Sequence, residues 1–212
     1  MDRIDLEREH YKAAWLCIIL AFICFYFSSC TTPEPTPQPS SVASPSPRAK
    51  VFSNGWHAEY DQWLDAAFET MPEYAFTQIC PKGTSNKKLA WRYFWKNIAI
   101  HESALTLTTQ YKENLGIDYI TKKQVVSEGL LQLSYQDKRG YPECDFKYEE
   151  DILKAPKDVS KNIFNPKLQF KCAMGIAKKL ATQKRLFKAY WSTAREGQSA
   201  GVAFRKGFPE CN

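Results

Sequence analysis

The stretch LAWRYFWKNIAIHESAL, residues 89–105, decides how this chain folds. Trp91, Trp95 and Ile98 recur at i, i+4 and i+7, so they fall on one stripe of a helix. Glu102 comes eleven residues after Trp91. At about 100° per residue it returns to within roughly 20° of that stripe. A carboxylate on the buried side of a helix, near its C-terminal end, loses hydration and meets the negative pole of the helix dipole. Both effects favour the protonated form, and a carboxylic acid held protonated near neutral pH suits general-acid chemistry. The bland alternative is a glutamate at the end of a core stripe that reaches solvent or meets a lysine.

The neighbouring segments extend the pattern. Thr84-Ser85-Asn86 supplies cap residues for this helix, predicted over 87–104. In GWHAEYDQWLDAAFET, residues 55–70, Trp56, Tyr60, Trp63, Leu64, Ala67 and Phe68 lie at helical spacing, and Pro72 stops the run. Asn165-Pro166 provides an N-cap and a first-turn proline for a third helix over 166–183, with the stripe Leu168, Cys172, Ala173, Ile176 and Leu180. A fourth helix is predicted over 185–196. The stretch 105–164 holds Gly116, Gly129, Gly140, Pro142 and Pro156, so it reads as loops, short helices and a small hairpin. The class is mainly α.

The chain begins differently. Residues 13–29 form an uncharged apolar run that ends at Ser28-Ser29-Cys30. Small residues before a cysteine resemble a bacterial lipobox, which implies cleavage before Cys30 and a lipid on its thiol. An uncleaved signal anchor is the alternative for residues 1–30. Residues 31–50 hold six of the twelve prolines and read as a tether reaching at most about 60 Å. Residues 51–212 are then one domain, outside the cytoplasmic membrane on either reading and tied to it by the lipid or the N-terminal segment. Its four cysteines, Cys80, Cys144, Cys172 and Cys211, suit two disulfides with three open connectivities. Cys144–Cys172 with Cys80–Cys211 is the preferred pairing. The first thirty residues hold three bases and four acids, so the remainder carries 26 Lys+Arg against 19 Asp+Glu. That excess suits a polyanionic partner. No CxxC, HExxH, GxSxG or phosphate-loop pattern occurs, so no metal or cofactor is expected.

Three segments then combine. Glu102-Ser103, Ser127-Glu128-Gly129-Leu130-Leu131-Gln132 and Ala189-Tyr190-Trp191 resemble, in order, the motifs of the lytic transglycosylase and goose-type lysozyme superfamily. Leu131 stands where that family has Met, and Trp191 where it has Asn. The resemblance implies a lysozyme-like fold, with a central helix carrying the catalytic glutamate at its C-terminal end and an irregular segment lining a cleft. It implies cleavage of the β-1,4 bond between N-acetylmuramic acid and N-acetylglucosamine in peptidoglycan, with glycan strands as the partner. A monomer is expected, and the extracytoplasmic signals argue against a nucleic-acid partner. Glu102 would be the acid, Ser127, Gly129 and Gln132 would border the sugar, and Tyr190 would support Glu102. A transglycosylase needs no second acid, since Glu102 acts as acid and then as base to close a 1,6-anhydro ring. With no clear second acid in the sequence, that is the expected activity. A hydrolase needs one, and Asp118, Glu128 and, less favoured, Glu113 are the candidates. A non-catalytic peptidoglycan-binding lipoprotein is the third reading.

Overall fold

The computed structural model describes residues 55–212. Cys30, the lipobox and the proline-rich tether lie outside them. Among the described residues no helix is long and apolar enough to cross a membrane.

The order of elements is α1 (Ala58–Phe68), α2 (Glu73–Thr77), α3 (Lys87–Ser103), β1 (Gln110–Ile117), β2 (Gln124–Glu128), α4 (Tyr148–Asp151), α5 (Pro166–Thr182) and α6 (Ser199–Gly207), with short 3-10 turns between. The protein is mainly α with a small antiparallel sheet. The first three predicted helices are present with slightly shorter ends. The small hairpin falls within the irregular stretch, as β1 and β2.

α3 is the axis of the core. Trp91, Trp95 and Ile98 are wholly buried, together with Ala90 and Ala99. Trp95 stacks on Phe187 and meets Trp191 edge-on. Arg92, half-buried beside this stripe, forms an ion pair with Asp65 of α1. The start of α3 differs from expectation, because Asn86 makes no side-chain cap. Its backbone N–H instead reaches the Thr84 hydroxyl. α5 begins as expected, with the Asn165 side chain accepting from the N–H groups of Lys167 and Leu168 and Pro166 in the first turn.

The fourth predicted helix is absent. Residues 185–196 form two separate 3-10 turns, Phe187–Ala189 and Ser192–Ala194. Gln78 supplies the reason. Its Nε2 donates to the Arg185 carbonyl at 3.1 Å, and its Oε1 accepts from the Phe187 N–H at 2.9 Å. The Arg185 carbonyl is a group that a helix would have used for itself, to accept from residue 189. The disulfides are Cys80–Cys211 and Cys144–Cys172. The first ties the C-terminus to the end of α2, and the second ties α5 to the loop before α4.

Candidate active site

α3 ends in a strained turn. Ala104 and Leu105 both take positive φ, 52° and 60°, a conformation that L-residues with side chains adopt at a cost of about 1–2 kcal/mol each. The chain turns back there, and Glu102 is left half-buried at the last turn of the helix. The Thr193 hydroxyl donates to Glu102 Oε1 at 2.5 Å. Burial pushes the Glu102 carboxyl above its ordinary range, the Thr193 hydrogen bond partly opposes this, and the charge of Glu113 adds to the rise. His101 is exposed and has no part in this arrangement.

Glu113 comes from β1. Lys112 of β1 pairs with Val126 of β2, and Tyr111 with Ser127. Alternation along each strand therefore puts Tyr111, Glu113 and Ser127 on one face, and Gln110, Lys112, Val126 and Glu128 on the other. The Ser127 hydroxyl donates to Glu113 Oε1 at 2.7 Å. Glu113, ranked last among the second acids in the sequence, is thus the carboxylate whose charge reaches Glu102.

The favoured second acids are placed elsewhere. Asp118 is buried, and its oxygens accept from the N–H groups of Ile120, Thr121 and Gln136. It holds the hairpin turn together. Glu128 is buried on the reverse face of the hairpin, where it pairs with Lys161 at 3.2 Å and accepts from Gln110 Nε2. Both carboxylates are engaged in structural bonds.

The expected sugar-contacting residues divide likewise. Ser127 stays at the site, on Glu113. Gln132 is buried at positive φ, and its amide donates to the carbonyls of Gly129 and Thr109, which shapes the loop from within. Gly129 has φ +80° and lies against Gln169, so close that a Cβ there would meet Gln169 Nε2 at 2.5 Å. Tyr190 does not bond Glu102. Its hydroxyl donates to Asp137 Oδ2 at 2.6 Å, because the turn in place of the predicted helix brings Thr193 inward instead. Burial raises Asp137 and raises Tyr190 well above its usual value.

Sequence reasoning missed Thr193, Asp137 and Gln169. Gln169 is wholly buried in α5 and clamps the Glu128–Leu131 segment: its Oε1 accepts from Leu131 N–H, and its Nε2 donates to the carbonyls of Glu128 and Ile163. A polar residue inside the apolar stripe of α5 was the one available hint. Among the described residues no cluster of His, Cys, Asp and Glu is placed to hold a metal ion.

No family model matches this chain, and no curated protein matches it. Solved structures do. One is Bd0314 DslA, wild-type form 2, with a TM-score of 0.54 at 19% identity over 73% of this chain and 91% of that one. Two further DslA structures, each with one glutamate replaced by glutamine, give TM-scores of 0.52 and 0.54 at 18% identity; they cover 69% and 73% of this chain and 85% and 91% of theirs. At such identities the likeness is one of fold.

Proposed function

We propose that this protein is a glycosidase of peptidoglycan with a lysozyme-like fold, cleaving the β-1,4 bond between N-acetylmuramic acid and N-acetylglucosamine with Glu102 as general acid. The observation that carries the reading is Glu102 itself: a half-buried carboxyl at the end of the core helix, its protonated form favoured by burial and by Glu113. Glu102 gives its proton to the glycosidic oxygen as the bond breaks through an oxocarbenium-like state, and Thr193 keeps Oε1 oriented.

Glu113 makes hydrolysis the better-supported outcome. It is a carboxylate within electrostatic reach of the acid, held by Ser127, and a hydrolase requires a second carboxylate to stabilise the sugar cation or activate water. The two glutamates replaced in the DslA structures stand eleven residues apart, the spacing of Glu102 and Glu113 here. The transglycosylase reading rested on the lack of a clear second acid, and Glu113 removes that reason. The two disulfides agree with a domain working outside the reducing cytoplasm.

The test is digestion of purified peptidoglycan by the intact, oxidised chain, with products read by mass spectrometry. Ordinary reducing ends, lost on Glu102→Gln and on Glu113→Gln, are expected. Anhydro-muramic ends, one water lighter, with Glu113→Gln still active, would assign a transglycosylase in which Glu102 serves as acid and then base. Clearing by Glu102→Gln equal to the parent's would end the general-acid assignment.

A further inference from the structure

The reverse face of the hairpin borders a cavity of about 440 Å³. Strand alternation separates it from Glu102, Glu113 and Ser127. Five lysines line it against three acids. The acids are all engaged: Asp118 on backbone N–H groups, Glu128 on Lys161 and Gln110, and Asp151 on the Tyr135 hydroxyl, Lys154 and the N–H groups of Asn162 and Ile163. The ammonium groups of Lys112, Lys123 and Lys157 are exposed and form no hydrogen bond or ion pair among the described residues. The lining also holds Val126, Tyr148 and Ile152, the last 51% exposed, beside the polar Gln110, Thr121 and Gln124. Three exposed cations with apolar side chains beside them suit a ligand that alternates carboxylates with small apolar groups.

We propose that this cavity binds the acidic peptides carried on the glycan substrate, so that the hairpin takes the sugar on one face and a peptide on the other. The identification of the peptide rests on the peptidoglycan reading above. The sheet is two strands wide, with about 5 Å between paired strands, and four or five extended residues span roughly 15 Å. A peptide leaving a strand held at Glu102 therefore has the length to pass round the hairpin edge. Its carboxylates meet Lys112, Lys123 and Lys157, and its alanine methyl groups meet Ile152 and Tyr148.

The experiment is calorimetric titration of the intact chain in detergent with a glycan-free probe, N-acetyl-L-Ala-D-Glu-meso-diaminopimelate-D-Ala. The same peptide with its carboxylates amidated, inorganic phosphate and anionic vesicles are run alongside. Binding of the acidic peptide is expected, weakened about tenfold by Lys112→Gln, Lys123→Gln and Lys157→Gln together, since exposed charge pairs each contribute a factor of about two to five. Binding should fall with salt. All three lysines are exposed, so the triple variant should retain the parent's melting temperature. Glu102→Gln should bind the peptide as the parent does. No binding of the acidic peptide, equal binding of the amidated one, or an unweakened triple variant overturns the proposal, as does binding of phosphate or vesicles in its place. A chain that binds the peptide but leaves peptidoglycan uncut would retain this inference while refuting the glycosidase reading.

Discussion

Gly129→Ala should be among the most damaging single-methyl changes in the domain. At φ +80° an alanine carries the left-handed penalty of about 1–2 kcal/mol. The new methyl would also lie 2.5 Å from Gln169 Nε2, 2.9 Å from its Cδ and 3.1 Å from the Ile163 carbonyl oxygen. The Gln169 amide has to move, and it makes three hydrogen bonds in a fully buried place. Loss of one or two of them adds about 1–3 kcal/mol. The total is about 3 kcal/mol, which for a domain of this size lowers Tm by roughly 6–12 °C. Thermal unfolding followed by near-ultraviolet circular dichroism measures it. The reasoning also requires coupling: in a Gln169→Ala background the clash with the Gln169 amide is gone, so Gly129→Ala should cost only the backbone strain and the close contact with the Ile163 carbonyl. A fall in Tm below about 2 °C, or strict additivity of the two substitutions, would refute the account of why this position is glycine.

Other outcomes follow from the same geometry. Thr193→Val removes the donor that partly lowers Glu102, so the alkaline limb of kcat/KM should move to higher pH and the rate should fall about tenfold, with Thr193→Ser restoring both; a limb that stays put or moves down contradicts the assignment. Glu102 binds its proton more tightly folded than unfolded, so its contribution to stability falls as pH rises from the ordinary carboxylate range through its raised value. Glu102→Gln should therefore gain on the parent in chemical denaturation as pH rises across that window, and a constant difference would be the contrary result. The Cys80–Cys211 bridge spans 131 residues and Cys144–Cys172 spans 28; the chain-entropy model assigns them about 5 and about 3.5 kcal/mol. Replacing the first pair by serines should lower the urea midpoint more than replacing the second.

Much of the helical frame is written locally. The spacing of Trp91, Trp95 and Ile98 identifies α3 and places Glu102 on its buried side, and Asn165-Pro166 marks the start of α5, because helix periodicity and capping involve residues three or four apart. The even number of cysteines beyond Cys30 suits two bridges, a reading of composition alone. What the sequence left open depends on groups far apart along the chain. Thr193 meets Glu102 across 91 residues, and Gln78 takes up the backbone at Arg185 across 107, which is why a helix predicted over 185–196 gives way to turns. The hairpin register sorts the candidate carboxylates Glu113 and Glu128 between the two faces. In a strand a shift of one residue exchanges the faces, so only the pairing of Tyr111 with Ser127 turns Glu113 toward Glu102 and leaves Glu128 with Lys161 on the other side. Local periodicity determined where the acid stands, and tertiary hydrogen bonding and strand pairing decided which residues face it.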